Sequence, residues 1–373
     1  MKKNEILVTY GKDYAAMTRR LLQEADLASM IEDRERRIGI KPNLVSPVLP
    51  SDGATTHPEV VEGLLQYLQE HGFQKITMME GSWAGAKTED AYNVCGYKEL
   101  TETYGVEFRD AQKEPFVAAD CGGMELRICA CAFDVDFMIN VPVMKGHCQT
   151  RITCALKNMK GLIPNAEKRR FHSMGLHGPI GHLAAKIRQD FVLVDSICGD
   201  LTFEDGGNPT VMNRIFAAAD PVLCDAYVCR LLQYRTEEVP YIGIAEALGV
   251  GSADLDRAVI RELNHAEGRT VLPDKDRILK LQEAVEDVDS CSACYGYLIP
   301  ALDRLEQEGL LTDFPEKICI GQGYKGKTGR LGIGNCTKAF ACSLKGCPPT
   351  ETEIYEFLKA YRENRTHVLL EGQ

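Results

Sequence analysis

Over the first 275 residues or so, short β-branched or aliphatic runs alternate with longer segments of helical period. That alternation predicts an α/β fold, with a mainly parallel sheet and helices on both faces. Candidate strands are Glu5–Thr9, Arg37–Lys41, Lys75–Met79, Phe137–Val141 and Phe191–Asp195. One helix begins at Pro58, where a fixed φ suits the first turn. Its inward stripe is Val60, Val61, Leu64, Leu65 and Leu68, and Gly72 stops it. Another follows Pro221 and carries Val222, Ala226, Cys229 and Leu231. At 373 residues, the chain is long enough for two domains of about 150 residues each. The polar stretch Asn264–Asp276 reads as the linker, giving an α/β domain over 1–275 and a smaller one over 276–373.

In the smaller domain Leu298, Leu302 and Leu305 recur at helical spacing, and Lys317–Ile320 reads as a short strand. Ile354, Phe357, Leu358 and Tyr361 form the inner face of a last helix. Thr350 and Glu353 have capping-box spacing, so that helix is expected to start directly after Cys347-Pro348-Pro349. Its N-terminus, partly positive, then faces whatever those cysteines hold.

Four cysteines dominate this C-terminal region: Cys291-x-x-Cys294, Gly334-Asn335-Cys336 and Gly346-Cys347-Pro348-Pro349. A Cys-x-x-Cys turn plus two thiolates from separate loops is the ligand set of a cubane, so a 4Fe-4S cluster is the expected cofactor. The motif order resembles the proximal-cluster segment of nickel-iron hydrogenase small subunits and the corresponding subunit of respiratory complex I, although the middle ligands here lie much closer together. Four thiolates also suit structural zinc, but zinc ribbons pair two Cys-x-x-Cys knuckles and the second is missing. Burial of all four as core cysteines is the third reading. Cys342, five residues before Cys347, competes with Cys336 as third ligand; the glycine turn before Cys336 favours Cys336.

The formal charge of −11 argues against general binding to nucleic acid or anionic membranes, which select basic surfaces. No run approaches the roughly 18 apolar residues of a membrane span, and Met1–Tyr10 has no signal-peptide core. A cytoplasmic location is expected. Fifteen cysteines in such a chain then point to metal or redox work rather than disulfides. Cys129-x-Cys131, Cys148 and Cys154 are read as core packing, and Cys95, Cys121, Cys198, Cys224, Cys229 and Cys319 also carry no motif.

Gly321-Gln-Gly-Tyr-Lys-Gly326-Lys327-Thr328 matches the phosphate-loop pattern letter for letter. A phosphate loop needs a helix directly after its Lys-Thr pair, and Gly329, Gly332 and Gly334 follow instead. The segment is therefore expected to shield the cluster, with Lys325 and Lys327 at its rim.

In the larger domain, polar groups follow apolar strands where open α/β sheets bind ligands. They are Lys41, Asn43, Thr56, Glu80, Lys145 and His147, followed by Lys157, Asn158 and Lys160. Lysines gathered at one rim of an acidic chain suit a small anionic ligand, carboxylate or phosphate. The motifs Lys41-Pro42-Asn43, Thr56-x-Pro58, Glu80-Gly81, Ile139-Asn140-Val141-Pro142-x-x-Lys145-x-His147 and Ala155-Leu156-Lys157-Asn158-x-x-Gly161 resemble the family called domain of unknown function 362, over roughly Ile38 to Leu232. The C-terminal cysteines resemble its iron-sulfur-bearing branch. His147 and Lys160-Gly161-Leu162-Ile163-Pro164 are more distantly similar to the lactate racemase family, in which such residues hold a nickel-pincer cofactor; no second His follows His147 at that family's spacing.

Three function classes are consistent with these features. The first is an iron-sulfur oxidoreductase or electron-transfer protein, with an anionic ligand in the large domain and a redox partner protein. The second is a racemase- or isomerase-like metalloenzyme whose cluster is structural. The third is an iron-sulfur module that docks a partner. The first is preferred because a 98-residue α/β unit closes without metal.

Overall fold

The structure, a computed structural model, describes residues 1–203, 208–265, 275–312 and 314–371. The chain divides into two units, residues 1–171 with 176–273, and residues 172–175 with 274–373. Most of the expected linker, residues 266–274, lies outside the described residues.

The first unit contains, in chain order, β1 (Glu5–Tyr10), β2 (Ile38–Pro42), β3 (Ile76–Glu80), β4 (Glu107–Asp110), β5 (Phe116–Asp120), β6 (Glu125–Cys129), β7 (Phe137–Val141), β8 (Lys145–His147), β9 (Arg151–Thr153), β10 (Phe191–Asp200), β11 (Pro209–Ala218) and β12 (Val259–Glu262). Eight of them form one sheet in the order β12-β1-β11-β10-β7-β2-β3-β4, while β5-β6 and β8-β9 are separate antiparallel hairpins. From β10 through β7, β2 and β3 to β4 every pairing is parallel. The sheet is thus mainly parallel, as the alternation requires. Every residue of β2, β7 and β10 is buried, so both faces at the sheet centre are covered.

β11 departs from the expected pattern because it runs antiparallel to both neighbours. It follows β10 directly in the chain and needs no crossover. That pairing also extends β10 to Asp200, beyond the expected end at Asp195. The helix Pro58–Glu70 buries the five expected aliphatic residues. A Cβ at its Gly63 would lie 2.4 Å from Ala15 O, so this glycine permits close packing against the helix Tyr14–Ala25. Asp220 accepts from the amides of Val222 and Leu223 and starts the helix Pro221–Leu231.

The second unit has four parallel strands in sequence order: β13 (Val285–Asp287), β14 (Ile318–Ile320), β15 (Leu331–Ile333) and β16 (Cys342–Leu344). Leu298, Leu302 and Leu305 are buried on the helix Ser292–Gln307. The last helix, Glu351–Glu371, buries Ile354 and Leu358 and leaves Phe357 and Tyr361 half-buried. Its capping box forms as the spacing predicts: Thr350 N donates to Glu353 Oε2 at 2.8 Å, and Glu353 N to Thr350 Oγ1 at 3.3 Å. After Lys327-Thr328 the chain runs without a helix into β15. Among the described residues no helix is long and apolar enough to cross a membrane.

Candidate functional sites

In the second unit, Cys291 caps the helix Ser292–Gln307 and Cys294 sits in its first turn. Their thiols thus lie at the end of the helix where the dipole favours thiolate. Cys336 lies in the turn Asn335–Thr337 after β15, and Cys347 follows β16. The two loops are joined by hydrogen bonds from Gly334 N to Leu344 O and from Asn335 N to Gly346 O, both 2.8 Å. Gly346 N donates in return to Asn335 Oδ1 at 3.0 Å. Burial, then the neighbouring thiols of Cys291, Cys347 and Cys336, push the Cys294 thiol well up, so these three sulfurs lie near enough to act on Cys294. Gly334, at φ +87°, leaves open the space beside Cys294, where an added Cβ would stand 3.8 Å from its Sγ. Cys342 opens β16 opposite Leu331, is exposed, and is not among the thiols acting on Cys294.

In the first unit, the strand ends carry a buried polar network. Lys41 Nζ donates to Glu80 Oε2 at 2.6 Å, to Pro42 O at 2.8 Å and to Asn158 Oδ1 at 3.2 Å. Glu80 also accepts from Leu44 N at 2.9 Å and from Gly81 N at 2.7 Å. Burial lowers the Lys41 pKa against the opposing pull of Glu80. Asn158 Nδ2 donates to Asn140 Oδ1 at 2.7 Å, and Asn140 Nδ2 to Gln189 Oε1 at 2.6 Å. Gly161 covers the ion pair: a Cβ there would fall 2.0 Å from Glu80 Oε1 and 2.5 Å from Lys41 Nζ.

Beside this network, Asn43 N donates to Thr56 Oγ1 and Thr56 Oγ1 to Val141 O, each at 2.8 Å. Lys145 Nζ reaches Ala54 O at 2.8 Å and lies in the field of Asp200. His147 Nδ1 accepts from the amides of Gln149 and Thr150 at 3.0 and 3.1 Å, which places its proton on Nε2. Lys145 and His147 lie in the β8-β9 hairpin rather than in an open loop, because the chain turns at residues 148–150 and brings Arg151 opposite His147. Lys157 Nζ bonds back to Thr153 Oγ1 at 3.3 Å, and Lys160 is half-buried in the turn Met159–Leu162. The structure thus gathers Lys41, Glu80 and Asn158 in one cluster and Asn43 with Thr56 in another, while Lys145 reaches the segment before Thr56.

Residues not singled out from the sequence complete this region. Asp195 Oδ2 accepts from both His57 N at 2.7 Å and His57 Nδ1 at 2.8 Å. Burial opposes the imidazolium, yet Asp195 and Glu59 outweigh it and raise the His57 pKa. An aspartate inside the apolar run of β10 was the available signal. Lys168 Nζ donates to Gly81 O at 2.9 Å and Ser82 O at 2.7 Å, and burial brings its pKa down to about 8. Its place in the run Lys168-Arg169-Arg170 hid it. Cys129, Cys131, Cys148 and Cys154 are buried. Cys154 Sγ lies 4.0 Å from Cys224 Sγ, beside Asp225, whose carboxylate holds the amides of Ala155 and Leu156 and is pushed up by burial to about 7.

A mainly parallel α/β sheet with polar residues at the ends of its central strands defines the class. The chain belongs to the family described as Domain of unknown function (DUF362), whose profile matches residues 38–230. It is similar to the thylakoid-associated protein sll1697 of Synechocystis sp., 25% identical over 226 residues, 57% of this chain and 68% of that protein. Among solved structures it is similar to the lactate racemase apoprotein of Thermoanaerobacterium thermosaccharolyticum, with a TM-score of 0.41 and 13% identity. That likeness covers 61% of this chain and 56% of the racemase. A protein from Thermotoga maritima gives a TM-score of 0.38 and 15% identity over 60% of each chain.

Proposed function

We propose that the second unit holds a 4Fe-4S cluster on Cys291, Cys294, Cys336 and Cys347, and that the protein is an iron-sulfur redox protein. The observation that carries this reading is the convergence of those four thiols while Cys342 stays apart. Their spacing favours a cluster over zinc. Tetrahedral zinc, with Zn–S of about 2.3 Å, draws its sulfurs to about 3.8 Å from one another. Among the described residues, no three of these four gather within 4.8 Å. A cubane sets four irons and four sulfides between its ligands and holds them farther apart. The group supplies one-electron chemistry when bound. The chain's part is to present two thiols at a helix N-terminus, hold two more on stapled loops, and leave Gly334 without a side chain beside Cys294.

In the first unit the proposed role is binding of a small anion at the ends of β2, β3, β7 and β10. Lys41, Asn43, Thr56, Glu80 and Asn158 build the floor, and Lys145, His147, Lys157 and Lys160 supply further polar groups. The Lys41 charge is balanced by Glu80, so the support lies in the density of buried polar groups at this end of the sheet. The whole reading is tested by replacing each of the four cysteines with Ser after anaerobic purification. Each change should strip iron or alter the visible spectrum, because an alkoxide is a hard ligand in a soft site. Nickel bound at His147 with Lys160 covalently modified would favour the racemase-like alternative instead.

A further inference from the structure

Residues 321–350 contain five basic side chains and no acidic one, in a chain whose formal charge is −11. They include two of the four converging cysteines. Arg330 is paired with Glu316 at 3.1 Å. The other four, Lys325, Lys327, Lys338 and Lys345, are exposed, and among the described residues none of them is paired with a carboxylate. Lys325 rests on the neutral Gln322 Oε1 at 3.1 Å, and the Lys327 ammonium lies 5.8 Å from the Tyr324 ring centre. Lys338 stands two residues after Cys336, and Lys345 two residues before the exposed Cys347.

We infer that these four lysines form a docking surface for a small acidic electron-carrier protein, seated over Cys336 and Cys347. This deepens the cluster reading and rests on it. One electron passes between the carrier's centre and the cluster, so one is oxidised and the other reduced by one unit; no bond forms or breaks. The charges sit on separate exposed turns around Gln322–Tyr324, Asn335–Thr337 and the end of β16, so they suit an extended acidic face rather than a small anion. Lysine keeps its ammonium hydrated and gives weak, salt-sensitive contacts, as rapid exchange of a carrier requires. Nucleic acid fits less well. Single-stranded binding draws on exposed aromatic platforms, and here Tyr324 and Phe340 are buried against each other.

The test uses anaerobically purified holoprotein with a plant-type acidic 2Fe-2S ferredoxin as probe. Binding is followed by calorimetry, and electron exchange by absorbance, at about 20 mM and about 300 mM salt. The variant K325E/K327E/K338E/K345E should bind at least about tenfold more weakly at low salt, with the difference closing at high salt. The control K3E/K12E/K87E/K98E makes the same total charge change on exposed lysines of the first unit and should bind within about twofold of wild type. Equal weakening in both variants, or binding insensitive to salt while the cluster is present, overturns the docking inference alone. Absence of iron in the wild-type protein overturns the cluster reading and the inference with it. Lysine-dependent binding of anionic vesicles or RNA with none of the ferredoxin would assign the surface to another class of partner and overturn the proposal.

Discussion

Glu80→Gln removes the charge opposite Lys41 but keeps the shape of the side chain. The two side chains are 1% and 2% exposed, so water cannot replace the lost carboxylate. Removing one member of a buried pair costs about 3–5 kcal/mol. The amine has an escape, which is to shed its proton and stay bonded to Pro42 O and Asn158 Oδ1. From the ordinary lysine value of 10.5, that neutralisation costs about 4.8 kcal/mol at about pH 7 but about 2 kcal/mol at about pH 9. A lysine whose folded pKa is depressed regains stability as pH rises toward its unfolded value. The destabilisation by Glu80→Gln should therefore shrink by about 2–3 kcal/mol between about pH 7 and about pH 9. Lys41→Met combined with Glu80→Gln has no amine to titrate and should show no such trend. Trp83, the chain's one tryptophan, is buried three residues from Glu80, with its backbone amide donating to Val45 O at 3.0 Å, so its fluorescence in urea reports the unfolding of this region. A penalty below about 1 kcal/mol, or one that stays flat with pH, would refute this account of the pair.

Gly161→Ala should also cost about 3–5 kcal/mol in the same assay, because its Cβ cannot coexist with the Lys41–Glu80 pair; a change under about 1 kcal/mol would show that the cover is loose. Cys342→Ser should leave the visible spectrum and iron content of the second unit unchanged, while Cys336→Ser should not; the reverse result would exchange the two assignments. His57, raised by Asp195, contributes stability that is complete below the ordinary imidazole value of 6.5 and is lost as pH rises through the folded value. The urea midpoint of wild type should therefore approach that of His57→Gln as pH rises above about 6.5, and a constant gap would contradict the dyad. Lys327→Ala should leave any binding of ATP unchanged in a fluorescent-nucleotide titration, since no helix follows to hold the phosphates.

The legible part of the sequence was the part written in periodicity and in local caps. β2, β3, β7 and the helix Pro58–Glu70 appear within a residue or two of their expected bounds, since buried aliphatic runs and a proline at the first helical turn act locally. The Thr350–Glu353 box was equally plain. β11 was missed because Pro209–Ala218 is partly exposed along its first half and reads as mixed polarity. The hairpin carrying Lys145 and His147 was missed for a different reason: its three-residue strands are too short to show a period. At the strand ends, the sequence named Lys41, Glu80 and Asn158 but not their pairing. An ion pair between residues 39 positions apart, and a hydrogen bond across 117, are set by the sheet order, which no local pattern records. The same holds for Asp195, which meets His57 across 138 positions.

The four-iron cluster proposed for Cys291, Cys294, Cys336 and Cys347 is checked by metal and sulfide analysis of the anaerobically purified protein, joined to EPR before and after reduction with dithionite. About four irons and four acid-labile sulfides per chain are expected, with no stoichiometric zinc, and with a paramagnetic signal that appears on reduction and is lost in Cys294→Ser. One tightly bound zinc per chain, with no iron, no sulfide and no signal on reduction, would contradict it.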